Sequence, residues 1–161
     1  MLNEYHIQFL HHFVCHNVIF LIVRGQARWL INNVHRTRDL DIWVRIADEG
    51  KPRLERALIE WATKHSTHTG QNWSSPLPLR PKVQIAFPEF DEVWYMDRTG
   101  GLREISTADR IDVLTSLEGM IFDECFKRAE AHEVEGAAVH AMSAADLDLA
   151  AKFRFVSEGR Y

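Results

Sequence analysis

A run of six apolar residues, from Val18 to Val23, constrains this chain more than any other feature of its sequence. The run is β-branched, aromatic and aliphatic, and it is flanked by Asn17 and Arg24-Gly25. Such a run is too short for a helix and is typical of a strand that is buried on both faces. It is also much shorter than the roughly 20 residues that a membrane-spanning helix needs. We therefore expect an interior strand of a sheet and no membrane span.

The rest of the chain alternates between helical and strand patterns. In the helical segments apolar residues recur every three to four positions, whereas the strand segments are short apolar runs or alternate with a period of two. The predicted helices cover 2–16, 26–30, 52–64 and a final segment from Ser143 toward Val156; the predicted strands cover 40–46, 83–87, 93–96, 111–114 and both sides of Glu135-Gly136; and a proline-rich loop covers 66–81. This mixture predicts an α+β fold with a mixed β-sheet flanked by helices, in a single domain over residues 1–161.

The composition excludes several classes of protein. Of the 161 residues, 46% are hydrophobic and 26% are charged, which is typical of a folded globular domain. The formal net charge of -4 argues against a broad, nonspecific attraction to nucleic acid. Cys15 and Cys125 form no C-x-x-C motif, and the N-terminal segment lacks the basic start of a signal peptide. We therefore expect a reducing, cytoplasmic location.

Two aspartates share one face of the predicted strand over 40–46. Asp39 and Asp41 alternate with apolar residues, so their side chains project from the same face about 6.5–7 Å apart. Mg²⁺ prefers carboxylate oxygens and often completes its shell with substrate phosphates, and Mn²⁺ accepts the same ligands. The spacing thus indicates a site for one or two divalent cations beside a triphosphate. Trp43 lies on the same predicted face and is a candidate for the lining of a nucleotide pocket. Asp112 lies within a different apolar strand, where an unpaired carboxylate is costly to bury.

The segments around these acids resemble the nucleotidyltransferase superfamily typified by DNA polymerase β, especially its small prokaryotic members, the minimal nucleotidyltransferases and the abortive-infection toxins. In that family a strand ends in Gly followed by Gly or Ser, and an acid-hydrophobic-acid-hydrophobic strand comes shortly after it. Phe20 to Ala27 is similar to the first part, and Arg36 to Ile42 is similar to the second. Arg110 to Ser116 is similar to the later strand that carries a third carboxylate. The resemblance covers roughly residues 18–156 and implies the polymerase β-like fold.

The resemblance also implies an activity and a set of site residues. The implied reaction is the Mg²⁺-dependent transfer of a nucleoside monophosphate from a nucleoside triphosphate to a protein or RNA acceptor. Asp39, Asp41 and Asp112 are the implied catalytic metal ligands. The candidate nucleotide-binding residues are Arg24, Gly25, Gln26, Arg36 and Lys152, of which the arginines and the lysine are candidates because their side chains can contact phosphate. Relatives of this size are often components of toxin–antitoxin or phage-defence systems, so a cognate toxin or antitoxin and a homo-oligomer are implied partners.

Arg24 departs from the family pattern. It stands where the family usually has its first glycine, so Gly25 alone remains of that motif, with Gln26 near the position of the small polar residue. Glycine lets the backbone approach the triphosphate closely, whereas arginine adds a long cationic side chain. Arg24 is therefore expected either to clasp phosphate or to obstruct the site. The second case corresponds to an alternative function, a noncatalytic binding module that acts through a protein partner.

The histidines and cysteines have simpler interpretations. His12 and His16 are four residues apart, so they share a helix face, but no cysteine or acid nearby completes a convincing zinc site. A surface or interface helix is the favoured interpretation. Cys15 and Cys125 have no adjacent base in a recognisable arrangement, so we expect small buried hydrophobic residues rather than nucleophiles.

Overall fold

The fold is described here from a computed structural model for residues 2, 4–34, 39–69, 82–85 and 111–157 of the chain. Within these ranges the chain forms five helices and six strands. In chain order they are α1 (Glu4–Cys15), β1 (Phe20–Val23), α2 (Arg24–Asn32), β2 (Leu40–Val44), α3 (Gly50–Thr69), β3 (Lys82–Ile85), β4 (Ile111–Leu114), α4 (Phe122–Arg128), β5 (Glu130–Val134), β6 (Ala137–Ala141) and α5 (Ala144–Ser157).

The six strands form one mixed sheet in the order β3-β4-β2-β1-β6-β5. β1 pairs antiparallel with β2 and parallel with β6, and β2 pairs parallel with β4. β3 pairs antiparallel with β4 at one edge, and β5 pairs antiparallel with β6 at the other. The predicted α+β class with a mixed sheet is therefore confirmed.

The centre of the sheet is the centre of the core. Every residue of β1, β2 and β4 is buried. α1 packs on this region through Phe9 and Phe13, and the ring of Phe13 lies edge-on to that of Phe20 with centroids 5.8 Å apart. Each fully buried large apolar side chain contributes roughly 1.5–3 kcal/mol to stability. The prediction that the apolar run forms an interior strand is confirmed, although the strand begins at Phe20 rather than at Val18.

His12 of α1 and His16, the residue that follows this helix, contact α3. His16 Nε2 lies 2.7 Å from Glu60 Oε2, and His12 Nε2 lies 2.6 Å from the carbonyl oxygen of Ala57. The two imidazole rings are neighbours, with centroids 4.4 Å apart. Both histidines therefore contribute to packing within the chain, and the surface or interface role favoured for this helix from the sequence stays a prediction.

The predicted start of the proline-rich loop was wrong, and some other predictions fall outside the described ranges. The predicted loop begins at Ser66, but α3 continues to Thr69. Ser and Thr are weak helix formers rather than helix breakers, so a helix that is already formed can extend over them. The rest of that loop, the predicted strand over 93–96 and Arg36 lie outside the described residues.

The C-terminal part follows the local signals of its sequence. β5 and β6 form a hairpin whose two turn residues, Glu135 and Gly136, both have positive φ, 45° and 87°. Ser143 Oγ then accepts a hydrogen bond of 3.2 Å from the backbone N–H of Asp146, which caps the start of α5 as predicted. No helix in the described ranges is both long enough and apolar enough to span a membrane.

A bidentate ion pair joins α4 to α5. The Arg128 guanidinium donates from Nε to Asp146 Oδ2 at 3.0 Å and from Nη2 to Oδ1 at 3.1 Å. Asp146 is buried, and Arg128 is half exposed. Cys125 of α4 is buried beside this pair, and burial raises the pKa of its thiol. The expectation of a small buried hydrophobic residue is confirmed for Cys125 but not for Cys15, which is exposed.

Candidate metal centre

The register of two parallel strands brings Asp41 and Asp112 side by side. Asp41 of β2 is directly opposite Asp112 of β4. Residues opposite each other on neighbouring strands project from the same face of the sheet, and the strands lie only about 4.8 Å apart. Both carboxyl groups are buried. Like charges in this position are unfavourable, so the pair needs a compensating charge.

Asp39 completes a group of three carboxyls. It lies two residues before Asp41, just ahead of β2, and it is partly buried. One carboxylate oxygen from each of Asp39, Asp41 and Asp112 lies within 4.8 Å of the others. The structure thus brings together the three predicted metal ligands. We call Asp39, Asp41 and Asp112 the aspartate triad.

Arg24 provides a positive charge at the triad. Its Nη1 lies 3.4 Å from Asp41 Oδ1. Val23, the last residue of β1, is opposite Asp41 in the antiparallel register, so the residue after it emerges next to that carboxyl. Arg24 has a φ of 57°, in the left-handed region that favours glycine, at a cost of roughly 1–2 kcal/mol. The backbone at this position is therefore of the kind that glycine adopts more freely than arginine.

Gly25 and Gln26 lie in the first turn of α2, and both are buried. The Gln26 side chain donates from Nε2 to the backbone carbonyl of Asp39 at 3.3 Å, which ties the start of α2 to the start of β2. Val23 precedes the helix and offers no side-chain acceptor. The first N–H groups of a helix lack partners within the helix and attract anions. The Gln26 contact therefore positions Asp39, and the helix start is suited to phosphate.

The environment of Asp41 strongly disfavours its charged form. Burial raises the pKa of Asp41 from 3.8 to about 7. The Arg24 guanidinium opposes this rise, whereas the charges of Asp39 and Asp112 and a hydrogen bond with the Asp112 carboxyl add to it. At neutral pH the negative charges of the triad are therefore not fully compensated. Binding of either a proton or a cation would reduce their repulsion.

The donor set fits a hard divalent cation. Three carboxylates that converge within a few ångströms are ligands that Mg²⁺ and Mn²⁺ accept, and this group, as the described residues form it, contains no thiolate or imidazole to favour a softer metal. Among the described residues the triad is the group of acids, histidines and cysteines that can converge on one ion. The metal ligands predicted from the sequence are thus close enough to share a cation.

Of the other residues singled out from the sequence, Lys152 and Trp43 are described, and neither belongs to the triad. Lys152 is exposed on α5. Trp43 is buried, and its indole lies edge-on to the Phe122 ring with centroids 5.1 Å apart, so it belongs to the core rather than to an open pocket lining. The ion pair between Arg24 and Asp41 was not predicted, because the register of β1 against β2 cannot be read from the sequence.

Comparisons of the chain with protein-family models, with curated proteins and with solved structures give no match.

Proposed function

We propose that this protein is a divalent-cation-dependent nucleotidyltransferase, which moves a nucleoside monophosphate from a nucleoside triphosphate to a hydroxyl group of a protein or RNA acceptor. The observation that carries the proposal is the convergence of the aspartate triad across β2 and β4. A second observation supports it: the uncapped start of α2 follows β1 directly, next to Asp41.

Different residues of the chain would bind the metal ion, position its ligands and bind phosphate. Asp39, Asp41 and Asp112 would hold Mg²⁺ or Mn²⁺. A bound divalent cation lowers the pKa of an attacking hydroxyl and stabilises charge on phosphoryl oxygens. Gln26 positions Asp39 through its backbone carbonyl. The N–H groups at the start of α2 would bind phosphate oxygens.

The reaction balances without a further reactant. The acceptor oxygen forms a bond to the α-phosphorus, and the bond from that phosphorus to the bridging oxygen breaks. Pyrophosphate leaves with the electron pair of the broken bond, and the acceptor proton passes to solvent. Catalysis of such a transfer rests on positioning and on charge stabilisation, which are the two properties that a rigid acidic site beside a helix start supplies.

A noncatalytic binding module is the second candidate, and the Arg24–Asp41 contact favours it. If the guanidinium fills the space that a triphosphate needs, the fold binds a protein partner instead of a nucleotide. This alternative predicts that nucleoside triphosphates leave the stability of the protein unchanged, with or without Mg²⁺.

Thermal unfolding tests the proposal before any acceptor is known. We expect Mg²⁺ together with the preferred triphosphate to stabilise the native state, by about 2.7 kcal/mol at one hundred times the dissociation constant. Asp39→Asn combined with Asp41→Asn should abolish this stabilisation. Asp148→Asn is a matched control, because Asp148 is an exposed acid on α5 that pairs with Arg28 outside the triad.

Transfer itself is then measured with a triphosphate labelled at the α-phosphate, using cell protein and RNA as acceptors. The native protein and Asp148→Asn should transfer label, and the double variant should lose about 10²–10³-fold in rate, as removal of charge-stabilising groups commonly does. Full transfer by the double variant would refute the proposal. The absence of any nucleotide-dependent stabilisation would favour the binding module.

A further inference from the structure

We propose that, in the absence of nucleotide, the aspartate triad binds one divalent cation rather than two, because the Arg24 guanidinium acts as the second cation of the site. This inference rests on the proposed function, since it concerns the same three carboxyl groups. It goes further in assigning a role to the residue that departs most from the family pattern.

The first support is the contact itself. Arg24 Nη1 lies 3.4 Å from Asp41 Oδ1, and the two side chains are 28% and 6% exposed. The positive charge therefore lies against a buried carboxyl of the triad, and it is partly shielded from water. A guanidinium stays charged at any pH at which a protein folds, so this charge is permanent.

The second support is that the backbone fixes where Arg24 emerges. Val23 pairs with Asp41, so Arg24 leaves the sheet at the level of the triad. Its positive φ of 57° directs the chain into α2 at that residue. The guanidinium is thus delivered to Asp41 by the turn between β1 and α2.

The third support is charge balance. Three carboxylates and one guanidinium carry a formal charge of -2, which one divalent cation neutralises. A second divalent cation would leave the site with a formal charge of +2 beside two buried side chains. An uncompensated charge in a buried site is costly, so the second ion is disfavoured until a triphosphate brings negative charge with it.

The contact also indicates what a substitution should do. It joins one nitrogen of Arg24 to one oxygen of Asp41, and its length of 3.4 Å exceeds that of a strong charge-assisted hydrogen bond. Charge, rather than the geometry of the guanidinium fork, is therefore the property that matters. Arg24→Lys should keep the behaviour of the native protein, whereas Arg24→Gln removes the charge and keeps a side chain on the same left-handed backbone.

Mn²⁺ binding without nucleotide provides the test. Calorimetric titration gives the number of ions per chain, and electron paramagnetic resonance detects coupling between two Mn²⁺ ions about 3.5–4 Å apart, the spacing of two-metal sites. We expect one ion and no coupling for the native protein and for Arg24→Lys. We expect two coupled ions for Arg24→Gln. Arg28→Gln, on the same helix but paired with Asp148, is the matched control and should bind one ion.

The outcomes separate the two proposals. Two ions in the native protein, or one ion in a folded Arg24→Gln, would overturn the role of Arg24 while leaving the metal site intact. Two ions in Arg28→Gln would overturn it as well, because the effect would then come from general charge. No Mn²⁺ binding to the native protein would instead overturn the metal site on which the proposed function depends.

Discussion

Two regions of this molecule contain the same pair of unfavourable features and treat them differently. The first is the aspartate triad with the turn from β1 into α2, and the second is the C-terminal unit formed by α4, the β5–β6 hairpin and α5. Each contains a buried aspartate, Asp41 or Asp146. Each also contains a residue other than glycine at positive φ, Arg24 or Glu135.

In the C-terminal unit both features are compensated locally. Asp146 accepts two hydrogen bonds from Arg128, at 3.0 and 3.1 Å, and lies in the first turn of α5, where the helix favours a negative charge. Glu135 occupies the first turn position of a two-residue hairpin, a turn that requires positive φ.

In the triad neither feature is compensated to the same degree. Asp41 has one guanidinium contact at 3.4 Å and two neighbouring acids. Arg24 adopts the left-handed conformation between a strand and a helix, outside any hairpin. Uncompensated burial of charge and backbone strain tend to coincide at functional sites. The comparison therefore distinguishes an aspartate whose charge is compensated within the fold from one that could hold a cation.

The largest expected effect is on the pH dependence of stability without metal. Because the pKa of Asp41 is about 7 in the folded state and near 3.8 when unfolded, the folded state holds its proton more tightly. Stability from this group is present below pH 4 and is lost as the pH rises toward 7, by at most about 4 kcal/mol. Asp41→Asn should remove this loss, so that the variant is more stable than the native protein at pH 8. Urea unfolding at pH 4, 6 and 8 in the presence of a chelator measures the free energy of unfolding of both proteins. If Asp41→Asn were less stable than the native protein at pH 8, the uncompensated burial of Asp41 would be contradicted.

Asp146→Ala should have the opposite effect. The substitution removes a buried, doubly hydrogen-bonded carboxylate and leaves Arg128, which is half exposed and can regain water. We expect a loss of about 2–3 kcal/mol in the free energy of unfolding, with no change in Mg²⁺ binding. Asp148→Asn, at an exposed position on the same helix, should stay within about 0.5 kcal/mol of the native protein. If Asp146→Ala lowered the free energy of unfolding by less than about 0.5 kcal/mol, the Arg128–Asp146 ion pair would not stabilise the fold.

The smallest effects are expected when the same residue is placed at both left-handed positions. Asparagine tolerates this conformation, so Glu135→Asn should stabilise the hairpin by about 0.5–1 kcal/mol at any metal concentration. Arg24→Asn relieves the same strain but deprives Asp41 of its cation. At pH 8 in chelator we expect a net loss of about 1 kcal/mol. Urea unfolding measures both variants. An equal increase in the free energy of unfolding at both positions would show that the Arg24 charge does not stabilise Asp41.

The sequence was most informative where the signal is local. The hairpin turn at Glu135-Gly136 and the Ser143 cap depend on adjacent residues, and both were predicted. Asp39 and Asp41 were placed on one face by the period of a strand, which is also a local property. The extension of α3 over Ser66 to Thr69 was missed, because weak helix formers take the conformation of the helix that precedes them.

Tertiary register was the part that local signals could not supply. The pairing of Asp41 with Asp112 depends on how β2 and β4 align, and the contact from Arg24 depends on how β1 aligns with β2. The bidentate pair of Arg128 with Asp146 likewise joins two helices across the β5–β6 hairpin. The resemblance to a family indicated that the three acids converge, but it did not indicate that Arg24 contacts Asp41.

The order of strands in the sheet has a consequence for how the molecule folds. β5 and β6 are joined by a two-residue turn, so they can pair within microseconds. β2 and β4 are parallel and separated by α3 and β3, so their pairing requires closure of a long loop and comes late. If Asp112 reaches Asp41 only in that late step, the three carboxyl groups are not yet together in an early intermediate. We therefore expect a bound divalent cation to slow unfolding and to leave the rate of folding nearly unchanged.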